Sequence, residues 1–582
     1  MDTIYAVKRL QLVDGTVIEP PMDGMTVFTG PNNSGKSMLL RELVTALYTN
    51  PGLSEPIRWI SGAEFHVGGS SADFISWLSG RGIQPIRHGI SGRYYLPGRP
   101  LGEQTWLDVE SVCAQWDGGA YSPLAHLLVK DQWTEGRLSD QTSSTQWDWS
   151  YPAVHPTQLL WESSEAHNNF SGLFEQAFGK RIAINRYQHQ IRLQVGSIGM
   201  EETAPPPSRE VKDAYASLPY LVDQGDGMKA FANLILHTLV RPAPVIVIDE
   251  PEAFLHPPQV RLLARYLTQS VPSPCQVFVA THSSDFLSGA MEASAPSQVR
   301  DARALALVRI NRSAGPPSAR TLDAAAVRQI LDTPLLRYSN IISGIFHDGV
   351  VLCEAEGDCQ FYAATLDVVL SGKPNPNLTY LHVNGKARLG DSVEKLRACG
   401  VPTAAIADLD FLNDPRKVQQ AVNQLGGAWD DIKDDVHAVN RYANSEITAK
   451  PAAEVKQEIV QALGSPKGRG ILSQEKIEAI TKSLKRANGW KHIKESGVRA
   501  LGDQYMAAQR VIDYLAALGI FLVPEGELER WVRQVPSGNK SAWLTAVFEQ
   551  GWHEAPSEDL KKFVAAVYAF LTSNTINPEA TA

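Results

Sequence analysis

"MTVFTGPNNSGKSMLLRELVTALY", residues 25–48, decides the fold. The run Met25 to Thr29 is short and apolar and predicts a buried strand. Gly30 to Ser37 fits the pattern G-x-x-x-x-G-K-[ST], and the residues after it carry apolar side chains at helical spacing. Strand, glycine loop and helix in that order form a phosphate cradle. The glycines let successive backbone N–H groups turn inward, and the helix start adds partial positive charge. Gly30, Asn33, Ser34 and Gly35 are the expected cradle. Lys36 is expected to reach the β- and γ-phosphates of ATP, and Ser37 to bind Mg²⁺.

A second stretch supports the first. In "PVIVIDEPEAFLHPPQ", residues 244–259, four apolar residues end in Asp249 and Glu250. At a strand tip, Asp249 is expected to hold the Mg²⁺ shell, and Glu250 to position or deprotonate the attacking water. The next strand, "QVFVATHS", ends in Thr281 and His282, which places His282 towards the γ-phosphate. One helix separates the two strands, and both are continuously apolar. That pattern predicts a parallel sheet buried on both faces, hence an α/β fold. "YAVKRLQLVDG" reads as an edge strand, and "KRIAINRYQHQIRLQVG" as a hairpin.

This order of motifs resembles the ABC-type ATPase heads of recombination-repair and chromosome-maintenance families. The resemblance implies a signature loop that completes the site of a second head. "DQGDGMKAFANLIL", residues 223–236, is the best candidate, with Gly225 and Gly227 opening a helix. It departs from the LSGG form of transporters. Two heads sandwiching ATP imply at least a homodimer. Eight of the thirteen tryptophans fall between Trp59 and Trp161, within an expected insertion at about 50–165. The reading favours a local core there over an added contact surface.

The pattern restarts beyond a boundary near 335–348. "VVLCEAEGDCQFYAA", residues 350–364, ends a new strand in Glu354, Glu356 and Asp358. "TAAIADLDFLND" then ends another in Asp408 and Asp410, which are two apart in a strand and so share a face and converge. Neighbouring parallel strands bring such ends into one crevice. Carboxylates that close together call for a hard cation, Mg²⁺, with Mn²⁺ or Ca²⁺ as substitutes.

A strand-ending glutamate followed by an Asp-x-Asp strand resembles the TOPRIM fold. An ATPase head followed by TOPRIM resembles, over nearly the whole chain, the OLD (overcoming lysogenization defect) family of nucleases, related to the Gabija nuclease subunit and retron-associated effectors. The resemblance implies residues 1–340 as the ATPase domain and 345–582 as a TOPRIM nuclease domain with a helical insertion at about 413–499. It implies metal-dependent DNA cleavage in antiphage defence. Glu354 matches the leading glutamate, Asp358 the second acid, and Asp408 and Asp410 the paired aspartates. "FLVPEGELERW" puts Glu527 and Glu529 near a second metal, and "SGNKSAW" offers Lys540 to stabilise developing phosphate charge. The family's glutamate is followed by glycine; here Ala355 follows, so Glu356 is an alternative ligand. The resemblance leaves a partner open: a helicase, or a retron's reverse transcriptase and RNA.

Composition narrows the rest. The net charge of −9 argues against a general nucleic-acid coat and requires a local basic surface. Residues 476–499 hold seven Lys/Arg against two Glu and offer that surface, with Trp490 for base stacking; a solvated helix face is the equal alternative. Five cysteines without paired spacing predict a reducing, cytoplasmic setting and no zinc site. No apolar run suits a signal peptide or a membrane span. A catalytically silent TOPRIM lobe in a DNA-binding sensor ATPase, and a topoisomerase or primase, are the competing functions. The absence of a nucleophilic tyrosine motif ranks the last lowest.

Overall fold

The computed structural model describes residues 3–49, 58–80, 83–87, 92–97, 106–139, 142–147, 153, 155–202, 204–240, 243–294, 303–312, 317–323, 327–328, 341–372, 377–383, 385–445, 452–464, 472–484, 489–536 and 539–573. The chain divides into two compact units, Met1–Leu331 and Asp332–Ala582.

The first unit is organised on a six-stranded sheet. Its order is Ser318–Leu322, Ala304–Asn311, Gly24–Thr29, Gln276–Ala280, Val245–Asp249 and Val129–Gln132. The five strands from Ala304–Asn311 onward run parallel, and Ser318–Leu322 is antiparallel at one edge. The three central strands are buried at every residue, as their uninterrupted apolar runs require.

One sequence expectation is corrected by the topology. Tyr5–Leu12 is not an edge strand. It is the middle strand of a separate antiparallel sheet, between Val17–Ile18 and Ile60–Val67. Its two-sided pairing follows from residues of the tryptophan-rich stretch, which were expected to form their own insertion. Trp59, Trp77 and Trp116 lie in one cluster with Leu39, Leu43 and Phe278 of the ATPase scaffold. Phe74 stacks on Trp116 with ring centroids 4.1 Å apart. The same stretch supplies the edge strand of the main sheet, Val129–Gln132. Large aromatics bury the most area when they join an existing core, and here they do.

The second unit carries a four-stranded parallel sheet in the order Leu378–His382, Gly349–Cys353, Thr403–Ala407 and Ile520–Leu522. Gly349–Cys353 and Thr403–Ala407, the middle strands, are fully buried. Between the third and fourth strands the chain is helical, with helices at Pro415–Gln424, Lys433–Ser445, Ala452–Leu463, Gln474–Leu484, Gly489–Ser496 and Tyr505–Ala517. No helix among the described residues is long and apolar enough to cross a membrane.

Candidate functional sites

The phosphate loop sits between the buried Gly24–Thr29 strand and the helix Lys36–Thr49. Gly30 is at φ +142, and a Cβ there would lie 2.1 Å from the Ile310 carbonyl oxygen. Gly35 is at φ +95, where a Cβ would meet the Trp59 indole nitrogen at 2.6 Å. Only glycine fits either position. Asn33 adopts φ 63 between them. Lys36 is nearly buried, and its Nζ donates to the Gly30 and Pro31 carbonyls at 2.9 and 2.8 Å. Burial holds this lysine below its usual pKa, against the pull of Glu250, Glu252 and Asp249. The Ser34 hydroxyl is buried without a hydrogen-bond partner. A lysine curled onto its own loop beside an unsatisfied hydroxyl fits a phosphate that both would bind. Ser37 Oγ donates to Asp249 Oδ1 at 2.9 Å, so the two expected Mg²⁺ ligands are adjacent.

Glu250 follows Asp249 in the left-handed region, φ 47. His282 Nδ1 lies 3.6 Å from Glu250 Oε1 and 3.2 Å from Glu252 Oε1. Sequence reasoning passed over Glu252. It is buried, accepts from the Thr281 hydroxyl at 2.8 Å and from the His282 N–H at 2.9 Å, and burial raises its pKa. Arg137 was also missed. It is 1% exposed and donates to the Asp249 carbonyl and to Thr134 Oγ1. Gln132, buried, ends the strand beside Asp249, paired with Ile248. Gly225 caps the helix Asp226–Ile235, and Gly227 lies bare against the Phe254 carbonyl, where a Cβ would approach to 2.6 Å. Phe254 is itself at φ 70 and exposed.

The second unit gathers its acids at the C-terminal ends of its strands. Glu354, Asp408 and Asp410 offer carboxylate oxygens within 4.8 Å of one another, an arrangement that suits a hard cation. The backbone N–H of Asp408 donates to Glu354 Oε1 at 3.3 Å. Asp408 and Asp410 converge, but not by strand alternation. The strand ends at Ala407, and Asp410 lies in a 3-10 turn, Leu409–Asn413, pinned by the Leu409 N–H on the Gly526 carbonyl at 2.9 Å. Burial, then Asp408 and Asp410, push Glu354 up to about 7. Burial pushes Asp408 up to about 6, although Lys494 and Lys540 oppose it.

The alternative ligand Glu356 is set aside by the local fold. The helix starts at that residue, and its side chain is exposed beside Gln360. Ala355 takes φ −141 and ψ 164, an extended conformation open to any residue, so the missing glycine costs no strain. The remaining expected metal ligands stand outside the trio. Asp358 is buried, receives the Ala355 N–H at 3.0 Å and pairs with Lys540 Nζ at 2.7 Å. Glu527 pairs with Arg530 at 3.1 Å and Lys494 at 3.6 Å. Glu529 sits one turn on, in the 3-10 helix Leu528–Trp531. Lys386, given no role from sequence, binds Asp410 Oδ2 at 3.0 Å. Of the expected DNA surface, Lys485 and Arg486 lie outside the described residues, as does the side chain of Lys482. Trp490 is 3% exposed and packs inward, so it presents no face for stacking.

Residues 154–288 match the family described as "AAA domain, putative AbiEii toxin, Type IV TA system". That span holds Asp249, Glu250 and His282 and lies downstream of the phosphate loop. The chain is 27% identical over 171 residues to the Old nuclease of Escherichia phage P2, a stretch covering 29% of this chain and 28% of that relative. Solved structures with a likeness include an Smc head bound to the C-winged helix domain of ScpA, at 14% identity and TM-score 0.32, covering 56% of this chain and all of that one. The SMC head domain from Thermotoga maritima is 12% identical with TM-score 0.28, over 55% of this chain and 99% of that one.

Proposed function

We propose that the chain is an ATP-hydrolysing, divalent-metal-dependent DNA endonuclease of OLD type that acts in defence against phage. The observation that carries the reading is the convergence of Glu354, Asp408 and Asp410 at one end of a parallel sheet, in a chain that also bears a complete phosphate loop. The first unit takes the role of an ABC-type head and the second that of a TOPRIM lobe. Lys36, Ser34 and the loop N–H groups hold the triphosphate, Ser37 and Asp249 hold Mg²⁺, and Glu250 orients water with His282 beside it. In the second unit, a divalent ion on the trio would supply charge stabilisation for phosphodiester cleavage. Lys540 stands ready to meet developing phosphate charge, and Asp358 fixes its ammonium. The resemblance to heads that pair around ATP supports a homodimer, with the signature loop at Gly225 and Gly227 facing the second copy.

Plasmid incubated with the full chain and Mn²⁺ tests the reading. Nicked or linear products are expected. Intact plasmid at every metal concentration would remove the cleavage role and favour a silent lobe, and relaxed closed circles would favour a topoisomerase.

A further inference from the structure

The carboxylate centre contains a lysine that the metal-dependent reading leaves without a task. Lys494 Nζ lies 3.1 Å from Asp408, 3.6 Å from Asp410 and 3.6 Å from Glu527. Two of these acids belong to the trio, so the ammonium stands against oxygens that a divalent ion would use. Its origin is the helix Gly489–Ser496, more than eighty residues beyond Asp408 in the chain.

The backbone builds this approach. Gly526 is at φ +105, and a Cβ there would lie 2.2 Å from the Lys494 carbonyl oxygen. Gly497, at φ +74, would bring a Cβ within 2.5 Å of the Pro524 carbonyl oxygen. The Val498 N–H donates to that same oxygen at 2.8 Å. Two bare glycines and one hydrogen bond therefore lock the helix end onto the loop that carries Glu527. The Leu409 N–H ties the Asp408 turn to Gly526 as well. Burial alone would lower the lysine's pKa, but Asp408 and Asp410 outweigh it and keep the group charged.

We propose that Lys494 is a positioning residue, a built-in counter-cation that holds Asp408, Asp410 and Glu527 together until a divalent ion displaces it, and that competes with that ion. The inference rests on the metal-dependent reading above. A lysine that only supported the fold would, on removal, loosen the carboxylates and weaken metal binding. A competing lysine would, on removal, strengthen it, because one positive charge leaves the immediate surroundings of the ion.

The test is Mn²⁺ titration of the full chain at pH 8, without nucleotide, read by electron paramagnetic resonance of free Mn²⁺. Lys494→Gln is expected to bind Mn²⁺ about ten-fold tighter than the unmutated chain, a modest share of the effect of one nearby charge. Lys494→Arg, which keeps the charge, is expected to stay within about two-fold, and Asp408→Asn to lose the site. Equal or weaker binding in Lys494→Gln, with a site that Asp408→Asn abolishes, overturns the counter-cation. No Mn²⁺ site in the unmutated chain, or one that Asp408→Asn leaves intact, overturns the metal reading instead. A measurement on unmutated protein guards against a variant that fails to fold. Acetylation of Lys494, followed by mass spectrometry, should rise several-fold on adding Mn²⁺; unchanged or reduced labelling overturns the proposal.

Discussion

The two acidic centres share a plan and differ in how they balance charge. Each stands at the C-terminal ends of buried parallel strands, where such sheets place their ligands. In the first unit, Asp249 and Glu252 are satisfied largely by neutral donors: the Ser37 and Thr281 hydroxyls and the His282 N–H. Its lysine, Lys36, turns to backbone carbonyls. In the second unit, lysines bind the carboxylates directly, with Lys386 on Asp410, Lys494 on Asp408 and Lys540 on Asp358. The first centre keeps its cation free for an arriving polyanion. The second has already spread cations among its acids. The difference teaches that an acidic strand end is defined by its counter-charges as much as by its acids.

The largest effect expected from this contrast is separation of the two activities. Asp408→Ala should reduce plasmid cleavage by about 100-fold or more by removing a metal ligand. Its ATP turnover should stay at the unmutated rate, measured by phosphate release. Joint loss of both activities would break the contrast.

The converse variant comes next. Glu250→Gln should slow ATP hydrolysis by about 100-fold while retaining nucleotide, read by filter binding. Lys36→Ala should instead lose nucleotide binding. Unchanged turnover in Glu250→Gln would take that residue out of the reaction.

A moderate effect is expected with pH. Glu354 titrates near 7 and Asp408 near 6, so Mn²⁺ affinity at the second centre should fall as pH drops from 8 through 7 towards 6. Stability has the opposite sign. A carboxyl group whose pKa is raised by folding adds no penalty below its unfolded value near 4.5, and destabilises progressively until pH passes its folded value. Glu354→Gln should therefore raise the melting temperature of the metal-free protein at pH 8 by about 2–4 °C, the shift for each kcal/mol in a unit of this size. The gain should vanish near pH 4, and a variant that melts lower at pH 8 would contradict it. The smallest effect belongs to Glu356→Gln. Its side chain is exposed at the helix start, so cleavage should stay within about two-fold, and a large loss would reopen the register of the ligands.

These centres were unequally legible in the sequence. The phosphate loop is a local signal, because Gly30, Lys36 and Ser37 are held by one short turn whose spacing is fixed covalently. The buried strands were legible for the same reason, as runs such as Val245 to Ile248 admit few other fates. What escaped depends on segments far apart in the chain. Asp410 turns into the trio because Gly526 holds the Leu409 N–H, which strand periodicity cannot show. Lys494 reads in sequence as one member of a basic stretch, a DNA surface or equally a solvated helix face, until the 524–527 loop gives it somewhere to go. Trp59, Trp77, Trp116 and Trp490 carry no periodic pattern, so their inward packing emerges only when the cores close. Glu252 was in plain view, but an acid after a proline has no distinguishing spacing.

The strand Ile520–Leu522 has a consequence in time as well as space. It pairs Ile520 with Ala405, 115 positions apart in the chain. Closing so long a loop is entropically costly and slow, and pairing of this kind tends to come late in folding. The first unit is complete in the chain before residue 332, whereas Glu527, Lys540 and the loop that seats Lys494 follow that late strand. During synthesis the first unit is thus available well before Asp358 can meet Lys540 and before Lys494 is seated beside Asp408. A chain cut or released between residues 332 and 519 retains the whole first unit with its phosphate loop and loses the finished carboxylate centre.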